Sequence, residues 1–145
     1  MVNWTYKGAQ ITEMTQMPID AFGFIYLVTT TDGQKYLGKK QLLSQRKRKF
    51  GKREISKMEN KRLKKWEFVI KENDWKTYTG SNIDLNKLIE EGLEYKKEIL
   101  YYATSKGQLT YLELRELWTH RVLEDRNFFN GNIGGRHYNQ YKKEK

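Results

Sequence analysis

The sequence predicts one α+β domain in which a small three-stranded antiparallel sheet is flanked by helices. The best strand is residues 23–30, whose two faces are both apolar, which favours a central position in the sheet. A turn at Asp32–Gly33 leads into a return strand at 35–39, and residues 94–103 supply a third strand. Residues 110–124 place Leu, Trp and Val side chains at helical spacing, which predicts the main helix.

The patterns elsewhere in the chain are weaker. Residues 1–20 are predicted to form an irregular N-terminal arm with one short strand. Residues 41–53 are strongly basic and are interpreted as loop or frayed helix. The composition of residues 55–71 favours a helix, because Lys, Arg, Glu and Leu have good helix propensity.

A second helix is predicted over residues 83–92. Either Asn82 or Ser81 could cap its start, and a glycine closes it. The chain as a whole is short enough for a single domain over 1–145, with a basic C-terminal tail at 137–145.

The net charge of +10 is concentrated in one part of the chain. Residues 39–65 carry thirteen Lys or Arg against two acids, whereas the rest of the chain is close to neutral. Such a stripe is typical of a nucleic-acid binder, and residues 41–65 are called the basic insert below. The alternatives are a solvated helix face and an anionic membrane surface, although no strong apolar face accompanies the charge.

Composition disfavours several other classes of protein. The chain has no cysteine, which excludes disulfides and thiolate metal sites. No run approaches the ~20 apolar residues of a membrane span, and the N-terminus lacks the apolar stretch of a secretory signal. We therefore expect no membrane partner and a cytoplasmic location.

The hairpin register decides whether Tyr26 and Tyr36 can act together. A two-residue loop would place Tyr26 opposite Lys39 and the two rings on opposite faces of the sheet. A three-residue loop would place Tyr26 opposite Gly38 and both rings on one face, with open space for a substrate above the glycine. We expect the three-residue loop. Ordinary strand packing is the alternative explanation for the two rings.

Glu113 is the candidate metal-binding carboxylate, early in the main helix. One interpretation of this residue is structural, because Thr110 and Glu113 have the spacing of a capping box. The other is a ligand for a hard cation such as Mg²⁺, with substrate phosphate completing the coordination shell. The residues alone leave both interpretations open.

Two tripeptides in the hairpin, FIY at 24–26 and YLG at 36–38, resemble the signature of the GIY-YIG nuclease family. Three later segments follow in the order of a phage-borne branch of that family, whose members are described as homing endonucleases: WKTYTGSN, LTYLELRELW and FFNGNIGGR. The resemblance spans nearly the whole chain and implies the α+β fold of that family. It also implies an endonuclease that hydrolyses DNA phosphodiesters, requires Mg²⁺ or Mn²⁺, and acts in the cytoplasm of a host cell.

The resemblance implies a role for each matching residue. Tyr26 would activate the attacking water, and Tyr36 would position water and phosphate. Glu113 would bind the metal. Asn130 would support the site, although Asn132 is close enough in the sequence to compete for that role.

The chain departs from the family pattern at two points. Phe24 replaces the first glycine of the signature, and spacing does not select an arginine after the second motif. The GKK segment of the branch points to Lys40 as the cation that stabilises the transition state; the alternatives are Arg46, Arg48 and Arg53. We also expect Lys39, Lys40 and a metal at Glu113 to lower the pKa of the tyrosines, because nearby positive charge favours the phenolate.

The remaining expectations concern the cleft and the DNA. The branch-specific residues Trp75, Tyr78, Gly80 and Ser81 are expected to shape the cleft. The basic insert, with Lys39, would contact DNA phosphates. The expected contact residues in the insert are Arg46, Lys47, Arg48, Lys49, Lys52 and Arg53.

The source of sequence specificity and the biological role stay open. Specificity would come from the insert, from a homodimer or from a partner protein. The alternatives to a homing endonuclease are a non-catalytic basic protein that binds nucleic acid on the same fold, and a nuclease of repair or restriction.

Overall fold

A five-stranded mixed sheet forms the centre of the computed structural model, which describes residues 2–58, 65–138 and 141–142. The strands are β1 (Trp4–Tyr6), β2 (Ala9–Ile11), β3 (Gly23–Thr30), β4 (Lys35–Gln41), β5 (Leu43–Lys49), β6 (Trp66–Glu72), β7 (Tyr95–Ala103), β8 (Asn132–Ile133) and β9 (His137–Tyr138). The α-helices are α1 (Lys52–Ser56), α2 (Ile83–Glu90) and α3 (Lys106–Thr119). A short 3-10 helix lies at Met14–Gln16.

The main sheet has the strand order β2-β1-β7-β3-β4. β3 lies between β7 and β4 and is antiparallel to both, so the predicted antiparallel sheet is present as one part of a larger one. The prediction of only three strands is wrong, because the N-terminal arm adds the hairpin β1–β2 and β1 pairs in parallel with β7. Trp4 anchors this hairpin, since its indole N–H donates to the backbone carbonyl of Trp75.

The basic insert contains strands where we expected loop or helix. β5 and β6 pair as a separate two-stranded antiparallel ribbon, and α1 follows β5. Helix propensity here is outweighed by the alternating apolar residues of β6, which match the two-residue period of a strand, and by the hydrogen bonds of the ladder. The predictions for 41–53 and 55–71 are therefore wrong where β5 and β6 lie, and residues 59–64 are outside the described part of the chain.

The two longer helices begin at identifiable caps. Of the two caps that the sequence left open, Asn82 caps α2 by accepting a hydrogen bond from the first turn. Gly92 follows the helix with a φ of 99°, as the sequence predicted. α3 begins earlier than expected, because the side chain of Ser105 caps it. Thr110 is therefore inside the helix, and the capping-box interpretation of Thr110 and Glu113 is wrong.

Each face of the main sheet borders its own core. α3 covers one face, where the buried residues include Ile25, Leu37, Leu109, Leu112 and Leu117. The second core contains the alternate residues of β3 together with the arm and the segment before α2; its buried members include Trp4, Phe24, Tyr26, Trp75 and Ile99. Within the described residues, no helix is long and apolar enough to span a membrane.

Gly23→Ala tests how tightly α3 closes on the sheet. A Cβ atom at Gly23 would lie 2.6 Å from the backbone carbonyl oxygen of Lys40 and 2.8 Å from a methyl carbon of Leu109. We expect this overpacking to lower the free energy of unfolding by about 1–3 kcal/mol, measured by urea denaturation.

The matched control is Gly107→Ala in α3, where a Cβ would meet no atom within 4 Å. Alanine at a helical position should raise the free energy of unfolding by about 0.5–1 kcal/mol. Equal stability of the two variants would contradict the close approach at Gly23.

Candidate active site at the edge of strand β4

The hairpin has the register of the three-residue loop, as expected. Tyr26 pairs with Gly38 and Val28 pairs with Tyr36, so the two tyrosine rings share one face with centroids 6.2 Å apart. The expectation of open space above Gly38 is wrong, because the Tyr26 ring itself fills that space. A Cβ atom at Gly38 would lie 2.6 Å from the Tyr26 hydroxyl oxygen.

Tyr26 is enclosed by the sheet and by the segment before α2. Its side chain is 1% exposed, and a bulge in the pairing of β3 with β7 lies between Ile25 and Tyr26. Its hydroxyl is hydrogen-bonded to Tyr78 and lies against Gly80, where a Cβ would approach to 3.2 Å. The φ of 105° at Gly80 also favours glycine there. Tyr26 therefore reaches the substrate only if this segment moves.

The outer edge of β4 brings the other site residues together. The side chain of Asn130 accepts a hydrogen bond from the Leu37 N–H at 3.0 Å and donates one to the Leu37 carbonyl at 2.7 Å. Two residues along the strand, the backbone N–H of Lys39 interacts with the Glu113 carboxylate and partly offsets the effect of burial on the Glu113 pKa. Side chains of the site therefore satisfy backbone groups that an edge strand would otherwise leave unpaired.

A cleft of about 570 Å³ lies beside this edge. Tyr36 and Glu113 both line it, and the Tyr36 hydroxyl is hydrogen-bonded to the Ser81 hydroxyl at 3.0 Å. Asn130 and Asn132 also line the cleft. The predicted second tyrosine, carboxylate and asparagine thus meet in one place, although they are far apart in the sequence.

Glu113 lies in a partly dehydrated position. Burial raises the pKa of its carboxyl group above the ordinary value, because water is excluded from the ionised form. Lys39 opposes this effect, with its ammonium nitrogen 3.9 Å from a Glu113 carboxylate oxygen and 3.2 Å from the Thr110 hydroxyl. A carboxylate with so little water gains from a bound cation.

Lys40 does not line the cleft, although it lies on the tyrosine face. Its ammonium nitrogen is 2.7 Å from the Asp74 carboxylate and 4.1 Å from the centroid of the Tyr78 ring. Burial raises the pKa of both Tyr26 and Tyr36. The expectation that neighbouring lysines lower these pKa values is wrong, because desolvation is the largest influence and the negative charge of Glu113 raises both values further. The effect of a metal at Glu113 stays a prediction.

The donor atoms of the cleft suit Mg²⁺ or Mn²⁺. Glu113 and Asp84 contribute carboxylates to the lining, and Ser81 contributes a hydroxyl, all of them hard oxygen donors. Among the described residues, no group of three or more His, Cys, Asp or Glu could hold a metal ion. Glu113 would therefore hold the ion together with waters and phosphate oxygens of the substrate, as is usual for Mg²⁺.

Comparison with known families supplies the identity of the fold. The family model described as "Putative endonuclease segE, GIY-YIG domain" matches residues 4–133. The chain belongs to this GIY-YIG endonuclease family. The resemblance of the two tyrosine motifs is thereby confirmed. No curated protein and no solved structure matches the chain.

The branch-specific residues of this GIY-YIG domain surround the tyrosine pair. Tyr78 and Gly80 contact Tyr26, and Ser81 binds the Tyr36 hydroxyl. Trp75 is fully buried in the core beneath them and does not line the cleft. The segment thus forms a wall that separates Tyr26 from the cleft that Tyr36 lines.

Lys97 supports this wall and was missed by the sequence reasoning. Its side chain is 1% exposed, and its ammonium donates to the backbone carbonyls of Lys76 and Tyr78 at 2.9 and 3.1 Å. The pKa of Lys97 is lowered to about 8 by burial. The sequence signal was a lysine inside a predicted strand, which a charge pattern alone would place at the surface.

The expected DNA contacts within the basic insert lie on the ribbon and α1, and none of them lines the cleft among the described residues. The other expected contact, Lys39, lies in β4 beside Glu113. Arg48 is tied by ion pairs to Glu54 and Glu67. Arg46 lies in β5, opposite Val69. Among the expected contacts, Lys47, Lys49, Lys52 and Arg53 are exposed and form no ion pair with a carboxylate in the described part of the chain.

Glu113→Gln tests whether burial of the ionised Glu113 carboxylate lowers the stability of the folded protein. Because the folded-state pKa is raised above 4.5, the wild type loses stability as the pH rises from 4.5 through that raised value. The glutamine side chain of the variant does not titrate. As the pH rises through this window, the variant should therefore become more stable than the wild type, and the difference should stay constant at higher pH. The measurement is thermal unfolding at a series of pH values.

Glu124→Gln is the matched control for loss of a surface negative charge, since the Glu124 side chain is exposed. Added Mg²⁺ should raise the melting temperature of the wild type and leave that of Glu113→Gln unchanged, because only the wild type keeps the ligand. A Gln variant that is less stable than the wild type at neutral pH would contradict this account of Glu113.

Proposed function

We propose that this GIY-YIG protein is an endonuclease that hydrolyses DNA phosphodiesters and depends on Mg²⁺ or Mn²⁺. The observation that carries the proposal is the meeting of Tyr36 and Glu113 in one cleft at the edge of β4. Asn130 fixes the same edge, which supports a rigid arrangement of these two groups. The family match supports an endonuclease and DNA as its substrate.

Tyr36 is the phenol that we assign to the substrate. Because burial raises its pKa, the phenol is protonated at neutral pH and donates a hydrogen bond more readily than it accepts a proton. The Ser81 hydroxyl lies 3.0 Å from the Tyr36 hydroxyl and can donate a hydrogen bond to it, which leaves the Tyr36 proton for the substrate. In this position Tyr36 orients the attacking water and the phosphate.

Tyr26 has a positioning role in this proposal. The family resemblance gives it the role of activating water, but its burial and raised pKa do not support direct proton abstraction from a water in the cleft. Its ring packs against Tyr36 and its hydroxyl binds Tyr78. Tyr26 therefore holds the Tyr36 ring and the wall of the cleft in place.

Glu113 and Lys39 supply the charged groups of the site. A divalent cation at Glu113 would provide Lewis-acid stabilisation of the charge that develops on the phosphate. Lys39 is partly exposed beside Glu113, so its ammonium can contact the same phosphate group. Lys39 takes the place that we expected for Lys40, whose ammonium binds Asp74.

The central test is nicking of supercoiled plasmid. The wild type should nick the plasmid with Mg²⁺ or Mn²⁺ and stop when EDTA is added. Glu113→Gln should abolish nicking while DNA retention in a gel shift is unchanged, because none of the described cations of the insert lines the cleft that contains Glu113. A wild type that binds DNA and never nicks would favour the alternative of a non-catalytic DNA-binding protein.

The same assay separates the biological roles. We propose a homing endonuclease that acts in the cytoplasm of a host cell, on the basis of the motif order of the phage-borne branch. Sequencing of the cleaved ends should then show one defined site in a random-sequence library. Cuts confined to branched structures would favour a repair nuclease.

The two tyrosines should respond differently to loss of their hydroxyl groups. Tyr36→Phe should lower kcat by about 10²-fold or more with little change in KM, because the hydroxyl orients the reacting groups. Tyr26→Phe should lower the free energy of unfolding by about 1 kcal/mol through the lost hydrogen bond with Tyr78, with a smaller effect on kcat.

These effects are measured by single-turnover nicking and urea unfolding of both variants. Tyr102→Phe is the matched control, since its buried hydroxyl has no hydrogen-bond partner among the described residues. A larger loss of kcat in Tyr26→Phe than in Tyr36→Phe would reverse the two assignments.

A further inference from the structure

The ribbon β5–β6 has two faces of different chemistry. In its register Gln45 pairs with Ile70, Lys47 with Phe68 and Lys49 with Trp66. Residues that pair directly or alternate along a strand share a face. These six residues are called the apolar ribbon face below.

The apolar ribbon face exposes large hydrophobic side chains. Phe68 is 55% exposed and Ile70 is 66% exposed, although they are neighbours on one face. Trp66 meets Phe68 edge to face, with ring centroids 4.9 Å apart. Single exposed hydrophobic residues are common, but a continuous stripe of them indicates a binding surface.

The charges on the two faces also differ. On the opposite face Arg48 is neutralised by Glu54 and Glu67. On the apolar ribbon face, Lys47 and Lys49 form no ion pair with a carboxylate in the part of the chain that the structure describes. Lys71 adds exposed positive charge on the opposite face. Within the ribbon, the combination of unpaired lysines with an exposed hydrophobic stripe is found on the apolar ribbon face, which favours an anionic partner that also offers apolar groups.

The DNA major groove has this chemistry and the required size. Strands of seven residues extend about 23 Å, and a groove about 12 Å wide admits a two-stranded ribbon. Phosphates line both sides of the groove, and the methyl group of thymine offers an apolar contact at the base edge.

We propose that the apolar ribbon face enters the DNA major groove and reads sequence through contacts of Phe68 and Ile70 with thymine methyl groups. Lys47 and Lys49 contact the flanking phosphates. The choice of DNA as the partner rests on the proposed function. The inference goes further by assigning sequence specificity to the chain's own ribbon and not to a homodimer or a partner protein.

The attachment of the ribbon supports a reading role. Leu43, at its base, packs against the core that contains Tyr26. Asn73, which follows β6, donates from its side chain to the Gln41 carbonyl and from its backbone to the Leu42 carbonyl. The ribbon is therefore fastened to the sheet at both of its strands.

The test is selection from a random-sequence duplex library with Glu113→Gln protein, which is expected to bind without cutting. This parent should enrich a motif that contains thymine. Phe68→Ser with Ile70→Ser should lower the preference for that motif over random duplex by about tenfold or more, while retention of random duplex stays within about twofold because phosphate contacts remain. Replacement of the motif thymines by uracil should weaken DNA binding by the parent and leave DNA binding by the double variant unchanged.

Ile19→Ser is the matched control, because Ile19 is fully exposed outside the ribbon. It should keep the full preference. Circular dichroism and thermal unfolding of the double variant should match the parent, since both replaced side chains are exposed.

Three results would overturn the inference: a parent that enriches no motif, a double variant that keeps the preference, or uracil substitution without effect. A parent that is a dimer by light scattering and becomes monomeric in the double variant would also overturn it, because a second copy would then cover the face. Absence of plasmid nicking by the wild type would contradict the endonuclease proposal alone, since the selection measures binding.

Discussion

The free edge of β4 is the constraint on which the candidate site depends. An edge strand presents unpaired N–H and C=O groups that must be satisfied. Here the backbone of the segment after α3 binds Lys35, Asn130 binds Leu37, and the Glu113 carboxylate interacts with the backbone N–H of Lys39. The hydrogen bonds that protect the edge thus also place Glu113 and Asn130 next to Tyr36.

The buried polar groups of the site serve binding at the expense of stability. A carboxylate and two phenols are held where water is scarce, so the ionised forms of all three groups are disfavoured. Such a site is less stable than one built from apolar residues, but it has a strong preference for a bound cation and a polar substrate. The buried ammonium of Lys97, which holds the wall beside Tyr26, adds to this cost.

The sequence predicted the hairpin and its register, because Gly38 and the loop length leave few ways to place both tyrosines on one face. It did not predict the ribbon, since Lys and Arg favour helix as strongly as the short alternation of β6 favours strand. The family resemblance pointed to Lys40 as the catalytic cation. It could not show that Asp74, distant in sequence, binds its ammonium. Likewise, spacing in the sequence could not show that Asn130, and not Asn132, forms the hydrogen bonds with Leu37 in β4.

The position of the ribbon has a consequence for how reading and cutting would be coupled. One residue, Leu42, separates β4 from β5, and its side chain is fully buried. With a flexible linker, the distance between a recognition element and the cleft would vary, because the end-to-end distance of the linker varies. A buried single-residue connection removes that freedom. If the ribbon reads DNA, the cleft must meet the backbone at a fixed distance from the bases that are read, so the offset between recognition and cleavage follows from the fold.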